Sequence, residues 1–523
     1  MHTKVYNLLS DFNKIKWKLT FKGILIGIIV GLLTVLYRMG IEFGTETAVR
    51  IYSYLKLHPG FAFLWTVIIM SVGLFIGWLV KLEPMASGSG IPQTEGVLLY
   101  GLNMKWYSIL AVRYLGGILC SIFGLSLGRE GPSIQIGAAG GQLVANRIST
   151  SHLEDKYLIT GGAAAGLSAA FNAPLSGIVF ALEEVHRSFS PLVLLAATTA
   201  SLTADFVSKN FFGLKPVLNF TATPQLPINL YIWLIPIGIV SGFAGSLMNK
   251  LLLGFQSLYR KIPAILRPCI ALLIALPCGI FLPEILGGGQ KLIRISENAG
   301  RGIGILFVFL FMKMIFTGTS FGSGVPGGIF FPILSVGALT GGILGIAATY
   351  LGLPSKYIAD FVVCAMTGVL SASVKAPVTS ILLTFEMSGS LIHLLPVAAC
   401  SFIALLISDV LKTQPIYEAL LERFIENNGS KITIDEKGGL HEFVVELGSE
   451  VCDKMIGELN WPQGSLVVGI RRGAREIVPK GNTQIRPGDY LVILSPEGQD
   501  QEIRKYMTDY CYCGGAYAVS DKT

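Results

Sequence analysis

This chain is poor in charge. Charged residues make up 14% of its 523 positions, against about 25% in a soluble domain, so a purely water-soluble protein is excluded. The stretch 314–355 carries no charged residue at all. Cysteines are few and scattered, at 120, 269, 278, 364, 400, 452, 511 and 513, without a C-x-x-C pair. They read as small buried hydrophobes and reduced thiols, not as a redox centre. The six histidines form no H-E-x-x-H pattern, so no metal site is expected. The apolar body holds no nucleophile–base spacing, so the chain is not expected to be an enzyme and needs no cofactor. A net charge of +7 is small for this length and gives no reason to invoke nucleic acid. No small-residue cleavage site follows the first apolar run, so that run is expected to stay as a membrane segment and not to be removed as a signal peptide.

What is present is apolar and glycine-rich. Hydrophobic residues reach 52%, glycines number 61, and the mean hydropathy is +0.62. These values describe a polytopic membrane protein whose helices pack closely or are interrupted. Lys4, Lys14, Lys16, Lys18 and Lys22 precede the first apolar run, which places the N-terminus in the cytoplasm by the positive-inside rule. Residues 1–22 read as an amphipathic segment on the inner surface. Apolar runs then recur from 23 to 408, with a last helix at 412–425, and several runs fall short of the roughly 20 residues of a full span. Broken helices at membrane depth persist only where protein or a water-filled cavity covers them, so they mark a pathway.

The sharpest feature is Gly128-Arg129-Glu130-Gly131-Pro132, a carboxylate set between the uncharged runs 115–127 and 133–145. An ionisable group at bilayer depth costs roughly 3 kcal/mol and is kept for function. Two glycines allow close backbone approach, and proline suits a helix start. The free N–H groups and positive dipole end of such a start attract an anion. Glu130 is tethered where it can be that anion, and a free anion enters only once Glu130 is protonated or swings away. Gly88-Ser89-Gly90-Ile91-Pro92 offers a second helix start with a hydroxyl donor, and Gly327 to Pro332 a third, through the N–H groups of Ile329 and Phe330.

An internal repeat connects these features. Leu167-Ser168-Ala169, Ala173-Pro174 and Glu183 recur as Leu370-Ser371-Ala372, Ala376-Pro377 and Glu386 at a constant offset of 203. Two halves, about 23–210 and 229–425, with interrupted helices in matching places are the mark of a transporter with its site at the repeat interface. Glu183 has the acidic partner Glu386, whereas Glu184 meets Met387, so Glu183 reads as structural and Glu184 as functional. Past a polar linker at 426–439, alternating runs at 442–447, 465–471, 476–479 and 490–494 predict a small cytosolic α+β domain over 440–510. Residues 511–523 read as a disordered tail.

G-S-G-I-P, G-R-E-G-P and G-G-I-F-x-P, in this order and spacing, resemble the three signature motifs of the CLC chloride channels and transporters over about residues 20–425. The resemblance implies an all-α polytopic fold of two inverted halves with broken helices, and a homodimer whose subunits each have a pore in the cell membrane of a prokaryote, with both termini cytoplasmic. It puts Ser89, Ile329, Phe330 and Tyr417 around the central chloride, with Gly88, Gly90, Arg129, Gly131 and Gly328 supplying helix-start backbone. It makes Glu130 the external gate and proton acceptor and Glu184 the internal proton-transfer residue. Serine at 89 suggests chloride, with other small anions passing less selectively. Glu95 and Arg113, isolated charges near apolar runs, are expected to form an ion pair. The implied activity is chloride/proton antiport; the alternative is a passive chloride channel gated by protons or voltage. The C-terminal domain resembles the TrkA-C type on its strand pattern and Arg486-Pro487-Gly488-Asp489, which implies regulation by a small ligand of unspecified identity.

Overall fold

The computed structural model describes residues 2–511 apart from 215, 219, 221–223, 225, 299–300, 390–392, 429–439, 473–474 and 495–499. Most of the expected linker and nearly all of the expected tail lie outside the described residues. The chain divides into two compact units. One is a helical body of Met1–Thr94, Met104–Ile148 and Tyr157–Asn427. The other joins Asn428–Thr523 with the short stretches Glu95–Asn103 and Ser149–Lys156.

The first half of the chain runs α1 (His2–Leu57), α2 (Ala62–Leu82), α3 (Ile91–Tyr100), α4 (Trp106–Ile122), α5 (Glu130–Ile148), α6 (His152–Phe171), α7 (Pro174–Phe180) and α8 (Pro191–Phe212). The second runs α9 (Leu234–Arg260), α10 (Arg267–Phe281), α11 (Gln290–Glu297), α12 (Ile303–Gly322), α13 (Phe330–Thr349), α14 (Ile358–Val374), α15 (Pro377–Ser388), α16 (Leu394–Val410) and α17 (Ile416–Asn428). Among the described residues, seven helices are long and apolar enough to cross a membrane, and α4, α10 and α16 are shorter apolar helices. The polar stretch before Gly23 is continuous with the first span in α1, because no glycine occurs before Gly23 and no proline before Pro59 to interrupt the backbone ladder.

The sequence repeat is a structural repeat. Asn172 (φ +55°) and Lys375 (φ +64°) both turn left-handed, ending α6 and α14, and a proline two residues on starts α7 and α15. Small residues let helices touch in the same way in each half. A methyl on Gly137 would meet the Gly162 carbonyl and one on Gly141 the Leu158 carbonyl; at Gly337 and Gly341 it would meet Met366 and the Phe361 carbonyl. Lipid-type helix packing depends on such close approach.

The repeats also cap one another. The Glu183 carboxylate accepts from the Val378 and Thr379 N–H groups at 3.3 and 2.8 Å and from the Thr379 hydroxyl at 2.6 Å. Glu386 accepts from the Leu175 and Ser176 N–H groups at 3.0 and 2.7 Å and from the Ser176 hydroxyl at 2.5 Å. Each glutamate thus answers the orphan donors at the start of the other half's broken helix. This reciprocity is what a pseudo-two-fold axis between the halves requires.

The second unit contains a four-stranded antiparallel sheet, β1 (Leu440–Val444), β2 (Leu466–Arg472), β3 (Arg475–Ile477) and β4 (Tyr490–Leu494), in the order β1-β4-β2-β3. Helix α18 (Asp500–Cys511) contributes Ile503 and Met507 to a core with Phe443, Ile470, Leu491 and Ile493. Asp489 is fully buried. It takes two bonds from Arg472, at 2.8 and 2.7 Å, and one from the Arg486 N–H at 2.8 Å, which closes the turn at Gly488 (φ +81°).

Candidate anion pathway

Three chain breaks meet inside the helical body. Gly124 and Gly324, 200 residues apart and both at φ +78°, end the α4 and α12 segments and lead through matching loops into α5 and α13. The loops pair backbone to backbone: the Gly128 N–H donates to the Gly328 carbonyl at 2.7 Å, and the Gly328 N–H to the Gly128 carbonyl at 2.8 Å. The loop before α3 is sewn to the same place, Gly88 N–H to Gly324 carbonyl at 3.3 Å and Gly327 N–H to Gly88 carbonyl at 3.1 Å. Gly131 leaves no room for a methyl, which would lie 2.4 Å from the Ser89 hydroxyl oxygen. The helix starts that the sequence marks by glycine and proline therefore converge. Their prolines sit second or third in the helix, not first, since α3 begins at Ile91, α5 at Glu130 and α13 at Phe330.

The polar groups at this junction are buried and unmatched. Ser89 is 2% exposed, Tyr417 and Glu130 are fully buried, and neither hydroxyl nor either Glu130 oxygen makes a formed hydrogen bond. The Glu130 carboxylate faces the N–H groups of Arg129, Phe331 and its own residue. An unsatisfied buried polar group costs about 1–3 kcal/mol. The Ser89 hydroxyl, a donor without an acceptor beside helix-start N–H groups without intrahelical partners, suits an acceptor-only ligand such as a halide. Ile329 and Phe330 are buried beside them. The Phe330 ring packs on Phe171 and Phe180 with centroids 6.1 and 6.3 Å apart, which walls the junction with apolar surface.

On one side Glu130 floors a vestibule of about 370 Å³ that Glu42, Glu46, Arg129, Lys291 and Arg294 also line. Glu42 follows Lys22 by twenty residues on α1, about 30 Å along a helix and thus a full hydrocarbon thickness from the lysine-rich, cytoplasmic end. The vestibule accordingly opens outward. On the other side Glu184 is 5% exposed and lies in a π-turn, Ala181–Val185, that extends α7. Such turns cluster at functional sites, and the matching stretch of α15 is a regular helix. Tyr417 stands within electrostatic reach of both Glu130 and Glu184. Arg187 pairs with Glu418 at 3.5 Å, and His186 bonds Thr160 at 2.8 Å.

Arg113 is fully buried, and its guanidinium donates to Gln135 at 2.5 Å, the Gly88 carbonyl at 2.6 Å and the Ser87 carbonyl at 3.4 Å. The loop that offers these carbonyls turns at Gly88 and Gly90, both at positive φ. Two features had no sequence signal. Arg129 meets Glu42 at 2.5 Å, and Lys313 is fully buried with its ammonium on the Ile285 and Gly287 carbonyls at 2.9 and 2.7 Å.

The comparisons agree with this geometry. Residues 72–409 match the family model described as voltage gated chloride channel, and residues 440–508 match the TrkA-C domain. The H(+)/Cl(-) exchange transporter ClcA of Vibrio cholerae is 32% identical over 451 residues, covering 82% of this chain and 94% of the relative. The Salmonella schwarzengrund protein of that name is 32% identical over 434 residues, 79% of this chain and 90% of its own. The crystal structure of a slow cyanobacterial Cl-/H+ antiporter superposes with a TM-score of 0.73 at 28% identity, over 79% of this chain and 99% of the other. A CLC-type fluoride/proton antiporter, at 22% identity and a TM-score of 0.58 over 75% of this chain and 96% of its own, shares the fold. With three helix starts sewn together around unmatched donors and a family match over most of its length, this chain is a member of the voltage-gated chloride channel (CLC) family.

Proposed function

We infer that the protein exchanges chloride for protons across the cell membrane. The observation that carries this is the position of Glu130, a buried carboxylate that faces helix-start N–H groups at the floor of the outer vestibule. When Glu130 takes a proton from outside, its charge is lost and the N–H groups it faces are free to hold chloride. Chloride then rests among Ser89, Tyr417 and the N–H groups of Ile329 and Phe330, where those donors gain the acceptor they lack. Glu184 passes the proton to the inner side apart from the anion, and Tyr417, near both acids, separates the two routes. Gly88, Gly90, Gly131 and Gly328 let backbone approach closely enough to replace the ion's water. Chloride and protons are the cargo, and no further cofactor enters this scheme. We read the protein as a homodimer with one pathway per subunit, a membrane transporter and not an enzyme, and the TrkA-C domain as its regulatory module, on the strength of the family.

The test uses the full chain in liposomes, with chloride and proton flux measured together. A chloride gradient drives protons uphill in the wild type. In Glu130→Gln chloride still moves while proton flux falls about 100-fold or more. A wild type that moves chloride without protons would show a passive channel instead.

A further inference from the structure

The Glu42 carboxylate belongs to the first helix, yet its strongest contact is with the residue next to the gate. It accepts from Arg129 at 2.5 Å and from Arg38, one turn below on α1, at 3.1 Å. Arg38 is itself locked, donating to Asn172 at 3.0 Å and covering the Phe212 ring at 3.7 Å. Arg129 is 4% exposed, and its Nε and second terminal nitrogen have no partner. Among the described residues Glu42 is therefore the one formed partner of the Arg129 guanidinium, and it is held there by a fixed arginine on its own helix.

We propose that Glu42 is a positioning residue of the gate: by clamping the Arg129 guanidinium it offsets the positive charge facing Glu130 and so sets the external pH at which exchange begins. The proposal rests on Glu130 being the gate. Other groups contribute to the same field. Glu46 on α1 and Lys291 and Arg294 on α11 line the vestibule, and Tyr37 and Tyr417 lie within electrostatic reach of Glu130. Arg129 stands beside Glu130 in the chain and acts on it directly, so the balance between Arg129 and Glu42 is the nearest part of that field. Without the Glu42 charge, Arg129 favours the ionised gate, and a more acidic exterior is needed to open it.

The test follows chloride/proton exchange in liposomes against external pH. Glu42→Gln moves the midpoint of activation about one pH unit to the acid side, while the chloride-to-proton ratio stays as in wild type. Glu42→Asp, which keeps the charge, restores the wild-type midpoint. Arg129→Gln, which removes the positive charge beside the gate and leaves Glu42 paired with Arg38 alone, moves it to the alkaline side. If Glu42→Gln lowers turnover but leaves the midpoint in place, Glu42 only supports the fold and the proposal is overturned; a change shared by Glu42→Asp overturns it too. Glu130→Gln serves as the control. If that variant keeps the wild-type dependence on external pH, the gate reading is what has failed.

Discussion

The two halves of the membrane body have matching backbones and different chemistry. Gly128 faces Gly328, Asn172 turns as Lys375 does, and Glu183 and Glu386 cap each other's helices. Yet Glu130 stands at the position where the second half has Phe330, and Glu184 where it has Met387. The groups kept in both halves hold the fold together, whereas the two buried acids proposed to carry protons occur in the first half alone. A symmetric frame can thus support a one-sided reaction, with one half supplying titratable groups and the other apolar walls and backbone donors.

That contrast can be broken in three ways. Glu184→Met makes the first half copy the second at the inner acid. Chloride flux should continue while proton flux drops about 100-fold, read in the same liposome assay; retained coupling would mean that the difference between the halves is incidental. Next in size, Gly137→Ala and Gly337→Ala each drive a methyl into a neighbouring helix, to within 2.1 Å of the Gly162 carbonyl in one half and 2.6 Å of the Met366 Cα in the other. Each should lower stability by about 1–3 kcal/mol, seen as earlier thermal unfolding in detergent. Finally, Glu183→Gln and Glu386→Gln each weaken charge-assisted bonds to helix-start N–H groups. Both should cost about 1–2 kcal/mol and leave the chloride-to-proton ratio unchanged. A loss of coupling in one but not the other would show that the caps, too, have parted in role.

Much of this was legible in sequence because breaks in membrane helices are written in few letters. Glycine and proline announced the three helix starts, and the offset of 203 announced the repeat. What stayed hidden depended on where side chains travel. Glu42 and Arg38 look like ordinary polar residues at the end of a long apolar helix, and only folding brings α1 beside Arg129. Arg113 is a lone charge in the sequence, and only the fold shows that the Ser87 and Gly88 carbonyls accept from its guanidinium. At Gly23 the composition changes while the helical ladder does not, so the length of α1 is not legible from composition.

The Gly128–Gly328 stitch limits how the molecule can move. Four backbone hydrogen bonds bind the three loops at the proposed chloride site, so tilting one half against the other would tear that junction. In the proposed mechanism the working stroke is then short, a carboxylate swinging and a phenol yielding within a still frame. Rate and selectivity are accordingly tuned by exchanging single side chains, with the scaffold left alone.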